Sequence, residues 1–142
     1  MKPVAVALLF AVVSPTRAED DPKKVQESLQ GEWRMVELIR DGRPEPKEEV
    51  RDTKATFKGN QLSMQTGKRG AEVSSFTLDP KANPPAIDLK PTGEKFTVRG
   101  IYKLEKDTLT LCFSFDGKDR PKEFKSEKGR GIGMVVLERV KK

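Results

Sequence analysis

The sequence predicts a small all-β protein, and three observations predict it. Short apolar segments alternate with turn residues along most of the chain. The clearest segment, Thr108–Phe115, alternates strictly, with Leu and Phe on one face and Thr, Cys and Ser on the other. No gap between candidate strands is long enough for the repeated crossover helices of a doubly wound sheet. This pattern predicts an antiparallel sandwich or barrel, and closure into a barrel would remove the exposed strand edges.

The predicted elements begin with a short helix over Lys23–Gln30. Asp21 is its expected N-cap, Pro22 its first helical position, and Gly31 its end. The segment Arg43–Arg51 is expected to be a loop or one helical turn. The candidate strands are Trp33–Ile39, Lys54–Phe57, Leu62–Thr66, Val73–Leu78, Ala86–Lys90, Phe96–Leu104, Thr108–Phe115, Glu123–Lys125 and Met134–Val140.

Turn residues connect these strands. Lys58-Gly59-Asn60 predicts a hairpin, and Lys106-Asp107 predicts a tight one. Gly100, inside a candidate strand, suggests a bulge or bend. We expect about eight to ten short strands in all.

The N-terminus has the organisation of a cleavable export signal. Lys2 supplies a positive charge, Val4–Val13 is an unbroken apolar run of ten residues, and Ser14–Ala18 ends it. Ten residues are too few to span a bilayer, which takes about 20. We therefore predict cleavage after Ala18, a single domain over residues 19–142, no transmembrane segment after cleavage, and a periplasmic or secreted bacterial protein.

The charge of the predicted mature chain excludes one class of partner. Removing Lys2 and Arg17 from 28 basic residues leaves 26 against 22 acidic ones, so the net charge falls from +6 to +4. The two signs are interspersed, and no basic stripe of the kind that binds nucleic acid is present. We expect no nucleic-acid partner.

The residue inventory also excludes most catalytic and metal chemistry. The chain has no histidine and one cysteine, Cys112. It therefore lacks the residues for Ser-His-Asp or Cys-His nucleophiles, for an internal disulfide and for almost every zinc site. Cys112 has two interpretations: a small buried hydrophobe, or a thiol that pairs between chains or reacts.

Carboxylate pairs are the remaining route to catalysis, because glycosidases need only two. Asp is favoured in turns for local hydrogen bonding, which accounts for most of the candidates. Asp88 and Glu138 lie within predicted strands and would matter if they face inward; Asp116 and Asp119 lack the rest of a calcium loop. The full set is Asp88, Glu94, Glu105, Asp107, Asp116, Asp119, Glu123 and Glu138.

One glycine-rich segment is the last candidate for chemistry. Gly129–Gly133 is expected to be a turn, because a phosphate loop needs a helix after it and here a strand follows. We assign no catalytic residue, metal or cofactor and expect a protein that is not an enzyme, with a carboxylate hydrolase as a remote alternative.

Six segments spread over most of the predicted mature chain can be compared with known families. They are LQGEWRMVEL (Leu29–Leu38), DGRPEP (Asp41–Pro46), TFKGNQL (Thr56–Leu62), LDPKANPPAIDL (Leu78–Leu89), GIYKLEKDTLTLCF (Gly100–Phe113) and RPKEFKSEKG (Arg120–Gly129). In these segments and their order the chain resembles a family of short exported lipocalin-like domains of unknown function that is abundant in planctomycete bacteria. The resemblance implies an antiparallel barrel of eight to ten strands, and it implies no activity or catalytic residue.

A second resemblance is to lipocalins proper. Gly31-Glu32-Trp33 matches their G-x-W motif, which follows a short helical turn and begins the first strand. In lipocalins an arginine from the last strand lies against that tryptophan, and Arg139 is the matching residue here. The resemblance implies structural roles for Gly31, Trp33 and Arg139. The usual lipocalin disulfides are absent.

Two functions remain open besides the remote hydrolase. An eight-stranded barrel has an interior that side chains just fill or that holds one small ligand. In the first hypothesis the protein binds a small apolar ligand, with five aromatic residues lining or closing the barrel: Trp33, Phe96, Tyr102, Phe113 and Phe115. In the second, the barrel is filled and the protein is an accessory envelope protein that acts through contacts with other proteins.

Overall fold

The computed structural model describes residues 21–115 and 119–141. The predicted signal segment 1–18 and the candidate carboxylate Asp116 lie outside the described residues. No helix in the described ranges is long and apolar enough to cross a membrane.

The chain forms a closed antiparallel β-barrel, which confirms the predicted fold class. Eight strands follow one another around it, and β1 pairs with β9 to close the ring, whereas the two-residue β2 pairs only with the end of β1. The strands are β1 Gly31–Arg40, β2 Arg43–Pro44, β3 Thr53–Lys58, β4 Gln61–Thr66, β5 Glu72–Asp79, β6 Ala86–Pro91, β7 Val98–Glu105, β8 Thr108–Ser114 and β9 Ile132–Arg139. Within residues 21–115 and 119–141 there are also two short helices, α1 Pro22–Leu29 and α2 Lys47–Arg51.

Local chemistry explains the helix and the hairpins. The Asp21 carboxylate accepts a hydrogen bond from the Lys23 amide at 2.9 Å and so caps α1, as predicted. Two-residue hairpins join β3 to β4 and β7 to β8. At the β1–β2 turn, Asp41 and Gly42 both have positive φ, as a type I′ hairpin requires.

One predicted strand is absent, one begins later than predicted, and one short strand was not predicted. Glu123–Lys125 is not a strand, Phe96 precedes β7 rather than lying in it, and β2 was not predicted. Gly100 is not a bulge, because the β7–β8 register runs without a break through it. Its small size is required for another reason: a Cβ there would meet the Phe113 ring and lie 2.6 Å from the Cys112 carbonyl oxygen.

One end of the barrel is closed. Helix α1 lies at the end that also carries the β3–β4 and β7–β8 hairpins, and Val25 and Leu29 pack into the core. Above the helix, Trp33, Phe57 and Phe76 stack edge to face, with centroid separations of 6.4 and 5.5 Å. This half of the barrel is filled with side chains.

The connection between β8 and β9 crosses the outer wall. We call its described part, residues 119–131, the strap. Cys112, Ile101 and Ala86 form a row across the outward face of β8, β7 and β6, yet all three are buried. The Cys112 thiol donates to the Glu123 and Lys125 carbonyl oxygens at 3.4 and 3.6 Å, so the strap covers this row.

Candidate functional site

The other end of the barrel is open and contains a cavity of about 340 Å³, which we call the mouth cavity. Its apolar floor consists of Met35 and Leu38 of β1, Met64 of β4 and Val135 of β9. Below this floor the core is packed. The volume lies at the lower end of the range, about 300–1,000 Å³, that is typical of small-molecule sites.

A β-bulge in β1 builds one wall of this cavity. The β1–β9 register shifts between Met35 and Glu37, so Val36 is the extra residue and is 41% exposed. Before the bulge the odd-numbered residues face inward, and after it Leu38 and Arg40 do. Without the shift, strict alternation would turn Glu37 inward and Leu38 outward.

Helix α2 covers part of the opening. Val50 on this helix is buried and contributes to the core. The Thr53 hydroxyl donates to the Glu49 carbonyl oxygen at 2.8 Å and lies 2.9 Å from the Thr66 hydroxyl. These bonds join the helix to β3 and β4, so the wall beneath it is polar but satisfied.

The rim of the mouth cavity is charged. Arg40 pairs with Glu45 at 3.8 Å, and Arg69 pairs with Glu49 at 3.4 Å. Glu72 also lines the cavity, opposite Met64 in the β4–β5 pairing. Within the described residues it forms no ion pair. The rim therefore carries three carboxylates and two guanidinium groups.

The five predicted ligand-binding aromatics occupy different places. Trp33, Tyr102 and Phe113 are buried in the core below the cavity. Phe96 and Phe115 are 51% and 50% exposed. Of the five, Phe115 alone is among the described residues that line the mouth cavity, where the Arg40 guanidinium lies 5.9 Å from its ring centroid.

The three residues of the lipocalin resemblance meet at the closed end. The Arg139 guanidinium lies 4.3 Å from the Trp33 ring centroid, which is the contact that the resemblance implied. Arg139 also donates to the Ser28 and Gln30 carbonyl oxygens at 2.6 and 3.1 Å, where α1 ends. The indole Nε1–H of Trp33 donates to the Leu29 carbonyl oxygen at 2.8 Å. Gly31 follows with φ of +115°, a conformation that suits glycine.

Two of the carboxylates singled out from the sequence, Asp119 and Glu123, line one polar cavity along the strap, whereas Asp88 and Glu138 do not line it. Asp88 faces outward and accepts a hydrogen bond from Arg120 of the strap at 2.7 Å. Glu138 also faces outward, 3.7 Å from Arg34. In the described residues no group of three or more carboxylates or thiols has a geometry that could hold a metal ion.

Two further cavities lie outside the barrel. An apolar groove of about 670 Å³ runs between α1, the β5–β6 loop and the strap, with Val25, Tyr102 and Phe124 among its lining residues. A polar one of about 590 Å³ lies along the strap beside Ser114. Inward-facing residues of one strand, Tyr102 and Leu104 of β7, also line the groove. The mouth cavity differs from both because inward-facing apolar side chains from three strands, β1, β4 and β9, form its floor.

Sequence reasoning missed most of the mouth. Met35 and Leu38 lie in the candidate strand Trp33–Ile39, but the bulge that lets both face inward has no recognisable signature in that sequence. Glu72 and Arg69 flank a turn and looked like ordinary solvated residues. The sequence offers one usable sign, Met64 in β4, since methionine is common at adaptable apolar surfaces.

Comparisons with known protein families, with curated proteins and with solved structures gave no match for this chain.

Proposed function

We propose that this protein is an exported lipocalin-like binding module that holds a small apolar ligand in the mouth cavity. The mouth cavity carries the proposal: an opening of about 340 Å³ with an apolar floor and a charged rim, above a packed core. Ligand sites combine apolar side chains with polar groups that fix orientation. Here six apolar side chains share the lining with five charged and two hydroxyl side chains. The export signal predicted over residues 1–18 and the resemblance to exported lipocalin-like domains support the compartment.

The dimensions of the cavity set the expected ligand. A molecule of about ten to fifteen non-hydrogen atoms would fill it, and small ligands gain roughly 0.5 kcal/mol per such atom. The expected binding free energy is therefore about 5–7.5 kcal/mol, which corresponds to dissociation constants from a few to a few hundred micromolar. Long acyl chains would protrude, because the aromatic core below Met35 leaves no deeper channel.

The proposal is tested with n-decanol, measured by its displacement of the neutral fluorescent probe N-phenyl-1-naphthylamine. Leu38→Trp places a larger side chain inside the mouth cavity and should weaken n-decanol binding at least about tenfold, because it removes the space that the ligand fills. Val36→Trp is the matched control. It makes a comparable change two residues earlier, on the exposed outer side of the bulge, and should leave binding unchanged.

If both variants weaken n-decanol binding equally, or if neither variant weakens it, the mouth cavity is not the site. Native mass spectrometry of the mature protein from its own exported fraction then identifies a natural ligand by mass. If the wild-type protein binds neither probe nor any co-purifying molecule, the binding function is wrong and the alternative of an accessory envelope protein replaces it.

A further inference from the structure

The charged side chains at the rim indicate which head group a ligand of the mouth cavity would carry. This inference rests on the proposed function. Both guanidinium groups of the rim already have carboxylate partners, Glu45 for Arg40 and Glu49 for Arg69. The Arg40 guanidinium also lies near the Phe115 ring. An anionic ligand would have to compete with these internal contacts for either arginine.

Glu72 has no such partner among the described residues. Its position follows from the alternation of side chains along β5. Phe76 and Leu78 pack in or against the core, so Glu72, four residues before Phe76, lies on the same inward face nearer the mouth. Its cross-strand neighbour is Met64, part of the cavity floor. A carboxylate without an ion pair therefore stands directly beside the apolar surface that would receive a ligand.

We infer that the mouth cavity selects small apolar cations, with the hydrocarbon part on Met64 and Leu38 and an ammonium group at Glu72. The apolar floor binds any hydrocarbon of suitable size, whereas the carboxylate distinguishes a positive head group from a neutral or negative one. A rim carboxylate opposite a cationic head group affects the choice between ligands more than the affinity for hydrocarbon, because a neutral ligand keeps its apolar contacts.

The experiment compares three probes of equal chain length: n-decylamine in its ammonium form, n-decanol and n-decanoate. The expected order of affinity is ammonium above alcohol above carboxylate. The ammonium should bind about three- to tenfold more tightly than the alcohol, the gain of one partly exposed, charge-assisted contact. Glu72→Gln should remove this preference, because it weakens n-decylamine binding much more than n-decanol binding.

Glu37→Gln is the control. It removes the same charge from an exposed strand position that faces away from the cavity, so the preference for ammonium should survive. Thermal unfolding of each variant establishes that the barrel is intact.

The outcomes separate the inference from the proposed function. Equal affinity for n-decylamine and n-decanol, a preference that persists in Glu72→Gln, or tightest binding of n-decanoate would overturn the selection of cations; if n-decanol binding still responds to Leu38→Trp, the cavity remains a ligand site. Failure of all three probes to bind would overturn both.

Discussion

Arg139 gives the most demanding test of how the closed end is held. Its guanidinium joins β9 to Trp33 and to the last carbonyl groups of α1. The cation–π contact contributes about 1 kcal/mol. The two charge-assisted hydrogen bonds contribute about 1 kcal/mol each after allowance for partial exposure. The bond to Asp107 adds at most about 0.5 kcal/mol, because the carboxylate is half exposed.

Arg139→Leu should therefore lower the free energy of unfolding by about 3 kcal/mol, measured by urea denaturation, and the melting temperature by roughly 10 °C. Arg139→Lys keeps the charge but loses the planar fork, so it should lose about half as much. Amide exchange should accelerate first in α1, whose C-terminal carbonyls lose their donors.

An exposed ion pair between an arginine and a glutamate on the barrel surface provides the control. Arg34 and Glu138 are 65% and 48% exposed, and Arg34→Leu should change stability by no more than about 0.5 kcal/mol. If Arg139→Leu stays within about 1 kcal/mol of the wild-type protein, the closed end does not depend on this residue and the argument is refuted.

Two other predictions concern the wall beneath the strap. Gly100→Ala should lower the free energy of unfolding by about 1–3 kcal/mol, because its methyl group would overlap the Phe113 ring. Urea denaturation would measure this loss. The control Gly70→Ala has open space around it and should lower the free energy of unfolding far less. Burial raises the pKa of the Cys112 thiol above its ordinary value of 9.0. The unfolded chain therefore loses this proton first, so the free energy of unfolding should fall as pH rises above about 9. Urea denaturation at pH 8 and pH 10 would test this, because the free energy of unfolding of Cys112→Ala should fall less between the two pH values than that of the wild-type protein. An equal fall in both proteins would contradict the prediction.

The sequence predicted those parts of the barrel that depend on local patterns. Strict alternation from Thr108 places Leu109, Leu111 and Phe113 inward, and the structure agrees. The Asp21 cap likewise depends only on neighbouring residues. Each prediction succeeded because the physical cause lies within a few residues of its effect.

Apart from the Trp33–Arg139 contact, which the lipocalin resemblance implied, the parts that depend on distant contacts were not predicted. The segment around Phe124 has the composition of a strand, but it lies across the outer wall and Lys103 sits 5.3 Å from the Phe124 ring centroid. Cys112 is buried because of that strap rather than because of its own strand. Phe96 was expected to line the interior, yet it precedes β7 and is half exposed.

The candidate site was the least predictable part, and the reason is the bulge at Val36. Period-2 alternation assumes one unbroken strand, and a single extra residue exchanges its inward and outward faces beyond that point. The bulge places Leu38 and Arg40 in the mouth and leaves Trp33 and Met35 over the core. One strand thus contributes both to the packed end and to the open end.

This division separates the residues that stabilise the closed end of the barrel from those of the proposed binding site. Arg139, Trp33 and α1 close one end, and the aromatic core fills the space above them. The mouth residues Leu38, Met64 and Glu72 lie beyond that core, and among the described residues the partners of the Arg139 guanidinium are Ser28, Gln30, Trp33 and Asp107. We therefore expect substitutions at the mouth to alter the proposed head-group preference without loosening the closed end. A barrel held at one end by α1 and Arg139 can tolerate a bulge, a partial helical cover and exposed charges at the other, where we propose the binding site.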